Sequence, residues 1–401
     1  MSVWLIATLD TKGDEAEWLR AQLIELGLEV VLVDTGCMGT CKLFPDVDRD
    51  EVFANAKTTV AAAAKGDRGA AVDAAAEGVA KLLEGAQRRG EVDGVISLGG
   101  SAGTTIGTAA MRVLPIGIPK VMVSTLASGQ VRQYVQDKDI MMMNSVVDIA
   151  GINRISRVVL ANAAAALAGM VKTPLPEGEK QKPLVAATMF GVTTPCVEHA
   201  RGILEEAGYE VLVFHATGNG GQALESLIRD GALSGVLDMT TTELADELVG
   251  GVLSAGPERL TAAAAAGLPQ VVSVGATDIV NFHGSDTVPG TFRDRELHIH
   301  NASVTLMRTT VAENTAIGED IGCKLAEAQH ATLLLPLHGV SSIDKEDQPF
   351  DDPVARKALF KSIRENCGAT PCIELRQHIN DPEFGRHAAE TLLRLMQAHQ
   401  E

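Results

Sequence analysis

Residues 3–13, VWLIATLDTKG, open the chain with an apolar run that ends at Ala7-Thr8, and residues 14–26 continue as an amphipathic helical pattern closed by Gly27. The chain returns through Glu29-Val30-Val31-Leu32-Val33 into the glycine-bearing turn Asp34-Thr35-Gly36-Cys37-Met38-Gly39. A short apolar strand, a crossover helix and a second strand make a βαβ unit, whose two strands run parallel. The same order recurs over residues 184–221: LVAATMFGVTTP, a helical stretch up to Gly208, a strand from Glu210-Val211, then HATGNGG. Ala7-Thr8 matches Ala187-Thr188, Gly27-Leu28-Glu29-Val30 matches Gly208-Tyr209-Glu210-Val211, Gly94-Val95 matches Gly235-Val236, and Ile118-Pro119 matches Leu268-Pro269. The repeat predicts an α/β chain of two related halves, each a doubly wound, mostly parallel open sheet. One scaffold with two sets of loops predicts two different sites.

Working outward, further short apolar runs predict first-half strands near 3–8, 29–33, 93–98 and 119–123. In the second half they fall at 184–188, 211–214, 235–238, 270–274, 331–335 and 370–375, before a final helix over about 382–399. Runs without strict alternation fit strands covered on both faces. The alanine-rich segment 54–90 predicts one or two long packed helices. Residues 172–183, KTPLPEGEKQKP, carry three prolines, which oppose helix at and before their positions. They predict an extended linker between domains spanning 1–174 and 184–401.

The chain of 401 residues is 46% hydrophobic, and no uninterrupted apolar run reaches the roughly 18 residues of a membrane span. The N-terminus lacks a basic leader region and meets Asp10 within one strand length, so cytoplasmic placement and no membrane partner are expected. A formal charge of −18 and 3% aromatic residues oppose nucleic-acid binding, which needs phosphate-neutralising cations and stacking platforms. The six cysteines form no CxxC pair, and reduced thiols are expected; Cys37 and Cys41 are the one possible zinc or redox pair.

The most suggestive motif is Gly99-Gly100-Ser101-Ala102-Gly103-Thr104-Thr105, which follows a predicted strand and precedes a predicted helix. Glycines let successive amides turn toward an anion, and a helix N-terminus adds partial positive charge. The segment is neither a Walker motif nor a GxGxxG fingerprint; its alternative role is a tight strand-to-helix turn. In a parallel sheet the carboxyl ends of the strands share one edge. That edge also carries Thr11 and Lys12 after the first strand, Asp34 after the second, and Ser124, Thr125, Ala127, Ser128 and Gly129 after the fourth. Lys12 is the nearest cation, and Asp34 either accepts a ribose hydroxyl or caps a turn.

The ordered set ATLDTKG, VDTG, SLGGSAGT, VSTLASG, DIAGINRIS, FGVTTP, LLPLHGVSSID and HINDP resembles the Tm-1-like ATP-binding family, UPF0261, over essentially the whole chain. The resemblance implies ATP, with Mg²⁺, at Thr11, Lys12, Gly99–Thr105 and Ser124–Gly129. Ala102 and Gln130 depart from the family pattern. In the expected chemistry the amides of Gly100–Thr104 and Lys12 stabilise phosphate charge, and Thr104 or Ser124 reaches the metal.

All ten histidines lie from His199 onward. His338, Asp344 and His378 follow predicted strands and are candidates for acid/base or hydrolytic work on a small anionic metabolite, against the alternative of loop-orienting hydrogen bonds. His298 and His300 would share a face of an extended strand and suit a metal, although no third ligand is evident. Asp238 and Glu243 are candidate Mg²⁺ ligands or bases, with helix capping as the alternative. Arg293, Arg295 and Arg308 are possible anion partners or ordinary salt bridges. No GxSxG elbow is present. A regulatory module that binds nucleotide without turnover stands beside the enzymatic readings, and a homodimer is expected because open sheets and alanine-rich helices offer faces for a symmetric partner.

Overall fold

A computed structural model describes residues 1–41, 43–129, 131–173 and 182–400; Gln130 and most of the proline-rich segment lie outside the described residues. The chain divides into two compact units, Met1–Glu177 and Gly178–Glu401.

The first unit runs β1 (Ser2–Ala7), α1 (Leu9–Glu25), β2 (Glu29–Asp34), α2 (Arg49–Asn55), α3 (Val60–Ala63), α4 (Arg68–Arg88), β3 (Gly94–Gly99), α5 (Ser101–Arg112), β4 (Lys120–Ser124), α6 (Arg132–Val135), β5 (Met141–Asn144) and α7 (Arg154–Lys172). Its sheet has the order β2-β1-β3-β4-β5, all parallel. Alternation sorts β1 onto two faces. Trp4 and Ile6 pack with Val79 and Leu83 of α4 and Ile106 of α5, whereas Val3, Leu5 and Ala7 pack with Leu19 of α1 and Leu160 and Leu167 of α7. Because both faces are covered, the strands read as continuous apolar runs. The alanine-rich segment resolves into α2, α3 and α4, with Asp67 capping α4 by accepting the Ala70 amide. Gly27 ends α1 at φ +74° and Gly208 ends its counterpart in the second unit at φ +95°, the left-handed cap that glycine adopts without a Cβ penalty. Helix α7 has the length and composition of a membrane span, yet Leu160, Ala163, Ala164, Leu167 and Ala168 bury one face in the sheet core.

The second unit runs β6 (Leu184–Met189), α8 (Thr194–Glu206), β7 (Glu210–His215), α9 (Asn219–Arg229), β8 (Gly235–Thr240), α10 (Thr242–Val249), α11 (Ala262–Ala265), β9 (Gln270–Gly275), β10 (Ile279–Phe282), β11 (Leu297–Asn301), β12 (Val304–Arg308), α12 (Val311–Leu325), β13 (Ala331–Pro336), α13 (Pro353–Asn366), β14 (Cys372–Leu375) and α14 (Pro382–Gln400). Six strands form a parallel sheet of order β14-β13-β9-β8-β6-β7. The first-strand register recurs: Ser2 faces Glu29 in one unit and Leu184 faces Glu210 in the other.

Two features depart from the expected plan. Strand β5 was not anticipated, because Met141-Met142-Met143-Asn144 carries no β-branched residue. The second unit also holds a three-stranded antiparallel sheet, β10-β12-β11, inserted between β9 and α12. Its strands are four or five residues long, too short for periodicity to reveal.

Candidate functional site

In the first sheet, β1 leads to β2 on one side and to β3 on the other, so the winding direction reverses between β1 and β3. The crevice outside the carboxyl ends of two such strands is where open α/β sheets bind ligands. A cavity of about 510 Å³ opens there, lined by Thr8, Asp10, Thr11, Lys12, Cys37, Met38, Arg68, Val72, Gly100, Ser101, Ala102, Gly103 and Asp148.

The glycine loop is built by close packing. A Cβ on Gly99 would stand 2.8 Å from Gly103 Cα, one on Gly103 3.0 Å from the Leu98 carbonyl oxygen, and one on Gly107 2.6 Å from Ser97 Cβ. These three glycines let α5 lie directly on β3. Gly100 differs: its Cβ would meet nothing nearer than Thr125 Oγ1 at 3.7 Å, and its backbone is extended at φ −83° and ψ −150°. Gly100 is the N-cap of α5 and offers no side-chain cap, so the first-turn amides lack the acceptor that a Ser or Asp cap would supply. Ala102 and Gly103, whose amides stand in that turn, line the cavity.

Lys12 lines the same cavity and donates through Nζ to the Ile149 carbonyl. Its backbone, φ −127° and ψ 24°, kinks α1 one turn after its start. The Thr11 hydroxyl pairs with Thr8 Oγ1 at 3.0 Å. The turn after β2 is held by carboxylates: Asp10 Oδ2 accepts the Met38 and Gly39 amides at 3.0 and 2.9 Å, and Asp34 Oδ1 accepts those of Leu9 and Gly36 at 3.2 and 2.8 Å. Asp34 therefore holds its own turn through Oδ1, the turn-capping alternative; burial pushes its carboxyl up against the pull of the Gly36 and Leu9 amides.

Other predicted residues serve the scaffold. Thr104 Oγ1 donates to the Gly100 carbonyl at 2.7 Å and lies 2.6 Å from Ser124 Oγ, which also accepts the Leu126 amide. These two hydroxyls bond each other, and neither lines the cavity. Thr105 Oγ1 donates to Ser101 O at 3.0 Å, and the Thr125 amide donates to Gly99 O. Ala127, Ser128 and Gly129 form a turn that does not line the cavity, with the Gly129 amide on Leu126 O. Cys37 and Cys41 are free thiols whose sulfurs bond different carbonyls, those of Thr35 and Leu43. Burial, then Asp10 and Asp34, pushes the Cys37 thiol up to about 11, so it is no nucleophile at neutral pH.

Sequence reasoning gave no role to Arg68 and Asp148, both of which line the cavity. Arg68 begins α4 behind the Asp67 cap, a start signal hidden in the alanine-rich stretch. Asp148 follows β5, which was not anticipated.

In the second unit the corresponding crevice between β6 and β8 is filled. Thr188 Oγ1 donates to Asp238 Oδ1 at 2.7 Å, Thr193 and Thr240 hydroxyls meet at 2.8 Å, and fully buried Arg259 reaches Asp238 at 2.5 and 2.7 Å. Arg259 Nε also donates to Glu243 Oε2 at 2.7 Å, while Glu243 Oε1 accepts the amides of Gly218 and Gly221. Asp238 and Glu243 are thus neither caps nor metal ligands but partners of one guanidinium. The other candidates gather on neighbouring loops, where a Cβ on Gly339 would meet the His378 ring, but Asp344 and His378 are bound. Asp344 accepts from Arg356 at 2.6 Å, from Arg308 at 3.4 Å and from the Val340 amide. His378 Nδ1 accepts the Asn380 amide, which leaves Nε2 to donate to the Ser341 carbonyl at 2.8 Å. His338 is exposed, and its backbone amide donates to the Gln377 carbonyl, one residue before His378. Arg295 forms a two-point pair with Glu313. The β11 ladder shifts register between Ile299 and Asn301, so His298 stacks edge-on against Phe350 while His300 turns to a different cavity. Among the described residues no three His, Cys, Asp or Glu side chains converge as metal ligands.

A pH signature follows from Asp246, which burial pushes up to about 7 against hydrogen bonds from Asn281. Between its ordinary value of 3.8 and about 7 the folded chain holds a proton that the unfolded chain releases, so the stability due to this group falls as pH rises through that window. Asp278 is pushed the same way by burial and by Asp344. Urea denaturation at pH 5 and pH 8 should therefore show a loss of stability that Asp246→Asn reduces. Equal losses in both proteins would contradict this assignment.

A family model described as "Uncharacterised protein family (UPF0261) N-terminal domain" matches residues 1–176, and one described as "Uncharacterised protein family (UPF0261) C-terminal domain" matches residues 182–396. A "UPF0261 protein" of Clostridium tetani is 50% identical over 98% of both chains. "UPF0261 protein RA0729" of Rhizobium meliloti is 46% identical over 96% of this chain and 97% of its own. The "ToMV resistance protein Tm-1(GCR237)" of Solanum lycopersicum is 41% identical over 98% of this chain, which spans 55% of that protein.

Proposed function

The chain belongs to the UPF0261 family, and we propose that its first unit binds a nucleoside triphosphate, ATP with Mg²⁺, in the crevice between β1 and β3. The supporting observation is the convergence, in one 510 Å³ cavity at the winding reversal, of an uncapped helix N-terminus with two cations, Lys12 and Arg68. Amides at a helix start favour an anion through hydrogen bonding and the helix dipole together. Lys12 and Arg68 bring positive charge to a chain of net charge −18, which otherwise repels polyanions. Gly100 leaves backbone open to close approach, since no neighbour occupies the space of its missing side chain.

The donor set fits a phosphate chain and, through Asp148, an accompanying divalent cation. Asp10 is the less suitable carboxylate because its Oδ2 already accepts two amides. Bound Mg²⁺ supplies neutralisation of phosphate charge. The chain's residues do the rest: the α5 amides hold phosphate oxygens, Lys12 is oriented by the Ile149 carbonyl, and Arg68 closes the side formed by α4. The expectation of Thr104 and Ser124 as metal contacts is replaced by this assignment.

Calorimetric titration of the full chain with Mg·ATP tests the reading. Saturable binding is expected, weakened about tenfold or more in Lys12→Ala and in Arg68→Ala, the range for a charge-assisted contact. Absence of saturable binding to the wild-type chain, or unchanged affinity in both variants, overturns it. Phosphate release measured in the same mixtures separates turnover from binding alone.

A further inference from the structure

We propose that the second unit holds its own ligand site, for a small aromatic carboxylate, beside the crevice that its charged side chains fill. With the position between β6 and β8 closed by Arg259 and its partners, a separate cavity of about 340 Å³ opens at the carboxyl ends of β6 and β7. That volume lies at the lower end of small-molecule sites and suits one ring system.

Its walls are apolar: Phe190 and Val192 after β6, Leu253, and Val304 and Leu306 from β12. Phe190 and His215 meet edge to face, ring centroids 5.4 Å apart at 85°, which fixes the orientation of both rings at the cavity. The polar positions are Gly191, His215, Thr217, His300 and Asn301, of which the Thr217 hydroxyl donates to the His215 carbonyl and Asn301 Oδ1 accepts from Ser303, and among the described residues no Asp, Glu, Lys or Arg lines the cavity. Two imidazoles and the Asn301 amide nitrogen, with no carboxylate in the wall, favour a ligand that brings its own acceptors.

Two local features keep the space open. A Cβ on Gly191 would meet nothing within 4 Å, so this glycine is required by no packing contact. The register shift between Ile299 and Asn301 takes His300 out of the regular ladder, as bulges do where a side chain is re-aimed. The motif His298-Ile299-His300, first a candidate metal pair, is therefore divided: His298 packs on Phe350 and His300 serves the cavity.

Saturation-transfer NMR on the full chain, with benzoate as the probe and benzyl alcohol as its uncharged counterpart, decides the proposal. Saturable benzoate binding is expected, reduced at least about tenfold in the cavity-filling variants Gly191→Leu and Val304→Trp, provided that their thermal unfolding matches wild type. His300→Ala should weaken benzoate about tenfold while changing benzyl alcohol less than about twofold, since only the carboxylate makes a charge-assisted bond. No saturable benzoate signal, or an undiminished signal in the folded cavity-filling variant, overturns the site. Equal effects of His300→Ala on the two probes overturn the carboxylate assignment. The Mg·ATP titration has no bearing on either result.

Discussion

Arg259→Leu is expected to unfold the second unit, or to leave it with only a small fraction of its stability. The guanidinium is fully buried and ties together Asp238 at 2.5 and 2.7 Å, Glu243 at 2.7 Å and Glu225 at 3.3 Å. Removing it strands three buried carboxylates, and breaking a buried ion pair by deleting one partner costs about 3–5 kcal/mol. A domain has only about 5–15 kcal/mol in total. The carboxylates also hold backbone: Glu225 accepts the Leu260 and Ala262 amides at 2.6 and 2.8 Å, and Glu243 those of Gly218 and Gly221. Both tryptophans, Trp4 and Trp18, lie in the first unit, so their fluorescence follows that unit while far-ultraviolet circular dichroism follows both. The dichroism transition should move to lower urea, with the fluorescence transition far less affected. Burial already pushes Glu243 upward against the pull of Arg259. In the variant the stranded carboxylates should bind protons more tightly when folded than when unfolded, so its residual stability should fall as pH rises above about 4. A dichroism midpoint within about 0.5 kcal/mol of wild type, the range of an ordinary surface change, would refute this role for Arg259.

Gly100→Asp is expected to abolish nucleotide binding while stabilising the fold. Gly100 has the extended backbone of an N-cap, a position where Asp is among the preferred residues and gains roughly a few tenths of a kcal/mol over Gly. Its carboxylate would accept the amides of Ala102 and Gly103, the donors assigned here to phosphate, and would add like charge at the same point. Loss of these contacts and the repulsion together correspond to an affinity decrease of about 100-fold or more. Gly107→Ala, seven residues along, should do the reverse: its Cβ would overlap Ser97 and approach Met122 Sδ at 3.1 Å, an overpacking cost of about 1–3 kcal/mol. Thermal unfolding and Mg·ATP titration of the two variants separate the roles. A Gly100→Asp protein that still binds with wild-type affinity would remove the α5 amides from the site.

Local order in the chain carried much of this. The repeat of strand, helix, glycine and Glu-Val strand was legible because βαβ units are built from contiguous residues, and the parallel registers of β1 with β2 and of β6 with β7 follow it. Gly100, Ser101, Gly103, Thr11 and Lys12 line one cavity for the same reason: strands of one parallel sheet deliver their ends to one edge. Identical residue types had other fates where side chains meet across long separations. Thr104 and Ser124 satisfy each other, and Asp34 folds back on its own turn. His338, Asp344 and His378 come onto neighbouring loops, but Arg356 takes the Asp344 carboxylate and the Ser341 carbonyl takes His378 Nε2.

By itself the sequence determined the fold class, the repeat and the position of the glycine loop, because apolar periodicity and backbone freedom act over neighbouring residues. Only the tertiary structure decided that the crevice between β1 and β3 stays open while Arg259 fills its counterpart between β6 and β8. It also brought Arg68 and Asp148 to the first cavity and His300 to the second. Burial and pairing of charge depend on residues far apart in the chain, whose approach no local pattern records.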